Sequence, residues 1–162
     1  MTICHLYNLV KNMERKLKIT NESQMIKLGE EIGKNAFKGM VITLVGDLGA
    51  GKTTMTKGIG KALNITRVIN SPTFTIMKIY EGTLTLYHMD VYRIDNNSGD
   101  DYLEEYFYLD GVSVIEWADN ISDIIPNNRL EISIEIDNDF NRIVNLKSDS
   151  DEYNKVIEEI EL

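Results

Sequence analysis

One stretch of the sequence has the residue types and spacing that bind phosphate. Residues 46–53 read Gly-Asp-Leu-Gly-Ala-Gly-Lys-Thr and fit the pattern G-x-x-x-x-G-K-[ST] at every fixed position. The glycines allow a loop whose backbone N–H groups turn inward around phosphate oxygens. Lys52 can bridge the outer phosphates, Thr53 can place its hydroxyl on Mg²⁺, and Thr54 can bond a phosphate nearer the ribose. The stretch therefore predicts a phosphate loop for a Mg·nucleotide.

The stretches on either side of this loop predict the strand and helix that hold it. Residues 40–45 (Met-Val-Ile-Thr-Leu-Val) are apolar and β-branched, which is typical of a buried strand. After the loop, a helix is predicted through Leu63, with its N-terminal amides and positive dipole end aimed at the anion. Upstream, Asn21 can cap another helix with Gln24 in a reciprocal capping box, and residues 38–39 (Lys-Gly) end it.

The remaining patterns predict further strands and helices. They are a hairpin of strands at 75–80 and 83–90, a helix at 101–108, a strand at 112–117, paired strands at 130–136 and 142–147, and a helix from Asp151. This mixture predicts an α/β fold, a P-loop NTPase-like three-layer sandwich with a mixed, mostly parallel central sheet. No Pro/Gly/Ser-rich linker divides the chain, so residues 1–162 are predicted to form a single domain with residues 1–13 as a loosely ordered extension.

Two carboxylates stand at the ends of predicted strands. A P-loop alone holds Mg²⁺ weakly, because this ion prefers hard oxygen ligands and keeps several waters. Asp90 ends the strand of residues 83–90, and Glu116 ends the strand that begins at Val112. Ligands bind at the carboxyl ends of strands in open α/β sheets, so both carboxylates are predicted at that edge. Glu116 could hold Mg²⁺ through water or orient the attacking water.

Four blocks of the sequence together resemble the TsaE family, the small bacterial ATPases of tRNA threonylcarbamoyladenosine synthesis. Besides the phosphate loop, residues 71–75 (Ser-Pro-Thr-Phe-Thr) resemble the switch-like loop of that family. Residues 87–93 (Tyr-His-Met-Asp-Val-Tyr-Arg) resemble its H-x-D-x-Y-R segment, and residues 115–118 (Ile-Glu-Trp-Ala) its E-W segment. The resemblance covers residues 14–147 in matching order, although Ala118 stands where many relatives carry proline.

The resemblance implies roles for the matching residues. Thr53 and Glu116 would hold Mg²⁺, with Asp90 as a third, Walker-B-like metal carboxylate. Thr73 would sense the γ-phosphate, and Trp117 would lie beside the nucleotide. By analogy, the purine would lie near Thr20, and Arg142 would lie near the nucleotide. The implied catalytic residues are Lys52, Asp90 and Glu116, and the implied nucleotide-binding residues are Gly49, Ala50, Gly51, Lys52, Thr53, Thr54, Thr73, Trp117, Thr20 and Arg142.

The same resemblance implies a helper ATPase that uses ATP and Mg²⁺. In this family, ATP turnover supports the cycle in which TsaD, paired with TsaB, transfers a threonylcarbamoyl group to a tRNA adenosine. The expected partners are therefore TsaD and TsaB, with tRNA reached only through their complex. Weak activity alone is expected, because catalysis depends on positioning and charge stabilisation and no arginine is obviously placed as a finger.

Three other functions stay open on the sequence. A small-molecule nucleotide kinase would clamp two substrates with several arginines, but the chain has five arginines and no arginine-rich lid segment. A regulatory GTPase would carry an N-K-x-D guanine-reading segment, which is absent from the sequence. A nonenzymatic, nucleotide-dependent binding module would keep its function after loss of hydrolysis.

The composition and charge of the chain bear on its partners, its location and its metal sites. The formal net charge is −9, with 13 basic and 7 acidic residues in positions 1–93 but 4 and 19 in positions 94–162. This charge disfavours broad, nonspecific nucleic-acid binding. A cytoplasmic protein without membrane contact is expected, because Cys4 is the single cysteine and no apolar stretch approaches the roughly 18 residues of a membrane span. The only histidines are His5 and His88, without a Cys/His cluster for zinc, so His88 is interpreted as a structural strand residue.

Overall fold

The computed structural model describes residues 11–95 and 101–162, in which strands and helices alternate. In chain order the elements are β1 (Met13–Ile19), α1 (Glu22–Lys34), β2 (Val41–Gly46), α2 (Lys52–Ala62), β3 (Met77–Tyr80), β4 (Leu86–Asp90), a 3₁₀ helix (Asp101–Tyr108), β5 (Val112–Glu116), a short 3₁₀ helix (Ala118–Ile121), β6 (Leu130–Ile136), β7 (Arg142–Ser148) and α3 (Asp151–Glu158). These elements agree closely with the predicted ones from residue 40 onward.

The strands form one seven-stranded sheet in the order β1-β7-β6-β2-β5-β4-β3. The four central strands, β6, β2, β5 and β4, run parallel to one another. The pairs β1–β7, β7–β6 and β4–β3 are antiparallel, so β7 and β3 oppose the direction shared by the other five strands. The predicted mixed, mostly parallel sheet is therefore confirmed.

Hydrophobic side chains cover both faces of this sheet and make a three-layer sandwich. On one face the α-helices pack against the sheet through side chains such as Leu28, Ile59 and Val156. On the other face the two 3₁₀ helices contribute Phe107 and Ile121 to a separate core. Burial of these apolar faces is the main force that holds the layers together. Within residues 11–95 and 101–162, no helix has the length and apolar character needed to cross a membrane.

Helices α1 and α2 approach each other closely because glycines lie where they cross. A Cβ atom added to Gly29 would lie 2.1 Å from the carbonyl oxygen of Met55, and one added to Gly58 would lie 2.1 Å from that of Ile26. A side chain at either glycine would push the helices apart. This contact fixes the position of α2, which begins directly after the phosphate loop.

The first third of the chain differs from its prediction in two ways. Helix α1 ends at Lys34 rather than at residues 38–39. Asn35 follows as its C-cap residue, and the side chain of Asn35 donates a hydrogen bond to the carbonyl of Glu31. Strand β1 was not predicted, because the charged Arg15 stands at a half-buried position and interrupts the alternation of apolar and polar residues. Met13, the last residue of the predicted loose extension, already pairs with Ser148, whereas residues 1–10 lie outside the described residues.

Candidate functional site

The phosphate loop connects the end of β2 to the start of α2, as its pattern predicts. Gly49 and Gly51 have φ angles of +80° and +112°, a region that side chains with a Cβ rarely adopt. Gly51 is the N-cap residue of α2, and no side chain caps this helix end. The first N–H groups of α2 therefore face the loop without a side-chain acceptor, which is the arrangement that binds anions.

Lys52 is held inside the loop. Its side chain is buried, and its Nζ donates hydrogen bonds to the carbonyl oxygens of Gly46 at 2.6 Å and Asp47 at 3.0 Å. The same Nζ lies 4.4 Å from the centre of the Trp117 ring, in a cation–π contact. Burial lowers the pKa of Lys52, while the nearby charge of Glu116 acts in the opposite direction. The site thus contains a poorly hydrated cation beside the helix N-terminus.

Glu116, at the end of β5, is fixed to the phosphate loop. Its Oε1 accepts a hydrogen bond from Thr53 Oγ1 at 2.9 Å. His88 Nε2 lies 2.7 Å from the same oxygen, and the side chains of His88 and Glu116 are 0% and 4% exposed. The carboxylate of Glu116 is therefore held between α2 and β4 with almost no access to bulk water.

Asp90, at the end of β4, has different partners. It is the register partner of Glu116 across the β4–β5 pair, so the two predicted strand-end carboxylates do meet at one edge. Its Oδ2 accepts hydrogen bonds from Thr73 Oγ1 at 2.8 Å and Ser71 Oγ at 3.2 Å, and its Oδ1 accepts one from the backbone N–H of Tyr92 at 3.0 Å. Asp90 therefore binds the switch-like loop. Among the described hydrogen bonds, Glu116 rather than Asp90 bonds the hydroxyl of Thr53.

These groups line a cavity of about 360 Å³. Its lining includes the predicted residues Gly49, Gly51, Lys52, Thr53, Thr54, Thr73, Asp90, Glu116 and Trp117. Leu48, Ser71 and Tyr92 also line it, although the sequence predicts no site role for them. The rings of Tyr92 and Trp117 lie 4.8 Å apart at the cavity wall. Trp117 adopts a φ of +60°, a conformation that its sequence position does not signal.

The oxygen atoms of this cavity suit a magnesium ion that arrives with a nucleotide. Thr53 and Glu116 offer a hydroxyl and a carboxylate, which are the hard ligands that Mg²⁺ prefers. Asp90, the third predicted metal carboxylate, lines the same cavity, but both of its oxygens accept hydrogen bonds from Ser71, Thr73 and Tyr92. Within the described part of the chain, no group of three or more His, Cys, Asp or Glu residues could hold a metal ion. A hydroxyl and a carboxylate fill only part of an octahedral shell, so a Mg²⁺ ion at this site would need further oxygen ligands such as water.

A second cavity of about 280 Å³ borders the same phosphate loop. It brings together the other three predicted nucleotide residues, Thr20, Ala50 and Arg142. The guanidinium of Arg142 donates hydrogen bonds to the carbonyl oxygens of Ala50 at 3.2 Å and Gly49 at 3.1 Å. Arg142 thus holds the backbone of the loop from β7, a role that its sequence context does not show.

The described fold and loop define an α/β protein of P-loop NTPase-like architecture. The sequence model of the TsaE family, described as threonylcarbamoyl adenosine biosynthesis protein TsaE, matches residues 19–144. The chain therefore belongs to the TsaE family.

Individual proteins agree with this assignment. The chain is 50% identical over 123 residues to the tRNA threonylcarbamoyladenosine biosynthesis protein TsaE of Bacillus subtilis, covering 75% of this chain and 78% of the relative. It is 40% identical over 122 residues to the protein of the same name from Treponema pallidum, covering 70% and 86%. The crystal structure of Bacillus subtilis YdiB superposes with a TM-score of 0.82 at 39% identity, covering 92% of this chain and 95% of that one.

Proposed function

We propose that this chain is a Mg²⁺-dependent ATPase that supports threonylcarbamoyl transfer to a tRNA adenosine by acting on a TsaB–TsaD pair. Membership of the TsaE family supports the part in threonylcarbamoyladenosine biosynthesis. The observation that carries the ATPase part is the meeting of Lys52, Thr53 and Glu116 in one cavity at the sheet edge. Enzymes that transfer phosphoryl groups use an ammonium, a hydroxyl and a carboxylate placed around a phosphate loop.

Each group then has a distinct task. The amides at the start of α2 and the ammonium of Lys52 bind the phosphates of ATP, which replace the loop carbonyls as partners of Nζ. Thr53 and Glu116 would hold Mg²⁺, which neutralises the charge that develops on the phosphates. Asp90 orders the switch-like loop through the hydroxyl of Thr73. A γ-phosphate can compete for that hydroxyl, which is how Thr73 would sense it.

The surroundings of the cavity favour a partner that completes the site. No described arginine lines the larger cavity, and the guanidinium of Arg142 is bonded to loop carbonyls. Leu48 and Phe74, which lie on the phosphate loop and the switch-like loop, are 90% and 85% exposed. These two side chains are available for apolar contact with a protein partner beside the site. The lack of an arginine clamp in this cavity also disfavours the nucleotide kinase interpretation.

The test is phosphate release from ATP, measured for the chain alone and with TsaB and TsaD at saturation. We expect slow release by the chain alone and stimulation by the pair. Lys52→Ala should reduce release on the order of 100-fold or more, because it removes a charge aimed at the phosphates. Lys57→Ala is the matched control, since Lys57 lies on the same helix and is exposed. Absence of stimulation, or full activity of Lys52→Ala, would contradict the proposal.

A further inference from the structure

His88 is the least explained polar side chain near the site. It lies in β4 with a fully buried side chain, and its Nε2 is 2.7 Å from Glu116 Oε1. Its Nδ1 is also buried and has no hydrogen-bond partner within the described residues. The sequence predicts His88 to be a structural strand residue, and the geometry also connects it directly to a site carboxylate.

The partners of His88 decide where its proton lies. Glu116 Oε1 already accepts a hydrogen bond from Thr53, so Nε2 is the donor in its contact with this oxygen. Nδ1, the other ring nitrogen, is buried without a partner among the described residues. His88 therefore donates one hydrogen bond, from Nε2 to Glu116.

This bond affects which oxygen of Glu116 faces the nucleotide site. Thr53 Oγ1 and His88 Nε2 both bond to Oε1, and two donors use both lone pairs of that oxygen. Oε2 is then the oxygen that Glu116 can offer to a cation or a water. We propose that His88 is a positioning residue, which fixes the rotamer of Glu116 so that Oε2 is presented to Mg²⁺. The proposal rests on the proposed Mg·ATP site.

Stability alone does not account for a histidine at this position. Leu86, two residues earlier on the same face of β4, is fully buried and belongs to the core. An apolar side chain at position 88 would continue this face without an orphaned ring nitrogen. Second-layer groups that orient metal-binding side chains commonly change metal affinity or activity on the order of 10–100-fold when they are replaced. The cost of burying His88 is thus explained by its hold on Glu116.

The test compares His88→Leu with His88→Gln. Leucine fills the space without a donor, whereas glutamine keeps an N–H donor at a similar reach. Binding of a nonhydrolysable ATP analogue is followed by the fluorescence of Trp117, the only tryptophan of the sequence, while Mg²⁺ is titrated. We expect His88→Leu to need roughly 10-fold more Mg²⁺ for half-maximal binding, and His88→Gln to return to within about threefold of wild type. Binding without Mg²⁺ should not change.

Thermal unfolding and NMR distinguish a loss of positioning from misfolding of the variant and from failure of the proposed function. His88→Leu should unfold cooperatively but at a lower temperature than wild type, since the buried carboxylate of Glu116 loses one donor, and His88→Gln should recover part of this loss. Imidazole ¹⁵N shifts of a His5→Gln protein, which has one histidine left, should show the Nε2–H tautomer even without nucleotide. Wild type that binds Mg·nucleotide but never hydrolyses it would contradict the proposed function and leave this inference standing. An Nδ1–H tautomer, or an unchanged Mg²⁺ requirement in folded His88→Leu, would overturn it.

Discussion

Glu116 and Asp90 end adjacent parallel strands and are register partners, yet they belong to different parts of the site. Glu116 bonds to Thr53 of the phosphate loop and to the buried ring of His88. Asp90 bonds to two hydroxyls of the switch-like loop, those of Ser71 and Thr73. One carboxylate is therefore fixed to a helix that begins at the phosphates, and the other is fixed to a loop that can change its partners.

The difference shows that position at the sheet edge and chemical role are set separately. The β4–β5 register brings both carboxylates to the same edge. The element that packs above each strand end decides what the carboxylate holds: helix α2 above Glu116, and the loop of residues 71–75 above Asp90. Replacement of Glu116 should therefore affect the chemical step, whereas replacement of Asp90 should affect the order of the loop.

The largest effect is expected for Glu116→Gln. Glutamine keeps the shape and an oxygen acceptor for Thr53 and His88 but removes the charge that would face Mg²⁺. Turnover at saturating Mg·ATP should fall on the order of 10²–10³-fold, the usual cost of one electrostatic group in an active site. The exposed Asp119 follows β5 closely, and Asp119→Asn should keep wild-type turnover. Loss of less than tenfold in a folded Glu116→Gln protein would remove Glu116 from the metal site.

Asp90→Asn should reduce turnover less than Glu116→Gln does, and it should also loosen the switch-like loop. Weakening its charged hydrogen bonds costs about 1.5–3 kcal/mol, which corresponds to roughly tenfold or more in turnover. The switch-like loop should also open more often, so trypsin should cleave after the exposed Arg67, four residues before this loop, roughly tenfold faster or more. Glu116→Gln is the control, since it should leave this cleavage rate at the wild-type value. Equal cleavage of the two variants would contradict the separation of roles.

The smallest effect is expected for the hydroxyls that bind Asp90. Thr73→Val removes the donor of the 2.8 Å bond and keeps the side-chain volume. It should cost about 1 kcal/mol, or roughly fivefold in the same cleavage assay, because the bond is partly exposed. Thr73→Ser keeps the hydroxyl and should match wild type. Ser71→Ala, which removes the longer 3.2 Å bond, should have a smaller effect than Thr73→Val, and the reverse order would be evidence against this geometry.

Local patterns were enough to predict much of this structure. The run of residues 40–45, the glycine loop and the strand-ending carboxylates each obey a short-range rule, and the structure places them as expected. The β6–β7 pair was also predicted, because apolar and polar residues alternate regularly along β6 and a polar turn at residues 137–139 separates it from β7. These features depend only on residues that are close in sequence, so a single sequence is enough to predict them.

Contacts between distant residues could not be predicted in the same way. The bond from His88 to Glu116 joins residues 28 positions apart, and those from Arg142 reach 92 and 93 positions back to Ala50 and Gly49. Neither contact leaves a local pattern, because each depends on the strand order that brings the elements together. The pairing of β1 with β7 is a further contact of this kind, since the two strands lie near opposite ends of the chain.

The Mg²⁺ dependence of phosphate release tests the central claim most directly. The rate is measured at fixed ATP over a series of Mg²⁺ concentrations for wild type, Asp90→Asn and Glu116→Gln, each with TsaB and TsaD present. We predict Mg²⁺-dependent release by wild type, a lower maximum at a similar Mg²⁺ requirement for Asp90→Asn, and background release for Glu116→Gln. Release by wild type that needs no Mg²⁺, or the same Mg²⁺ curve for both variants, would contradict a metal site built on Thr53 and Glu116.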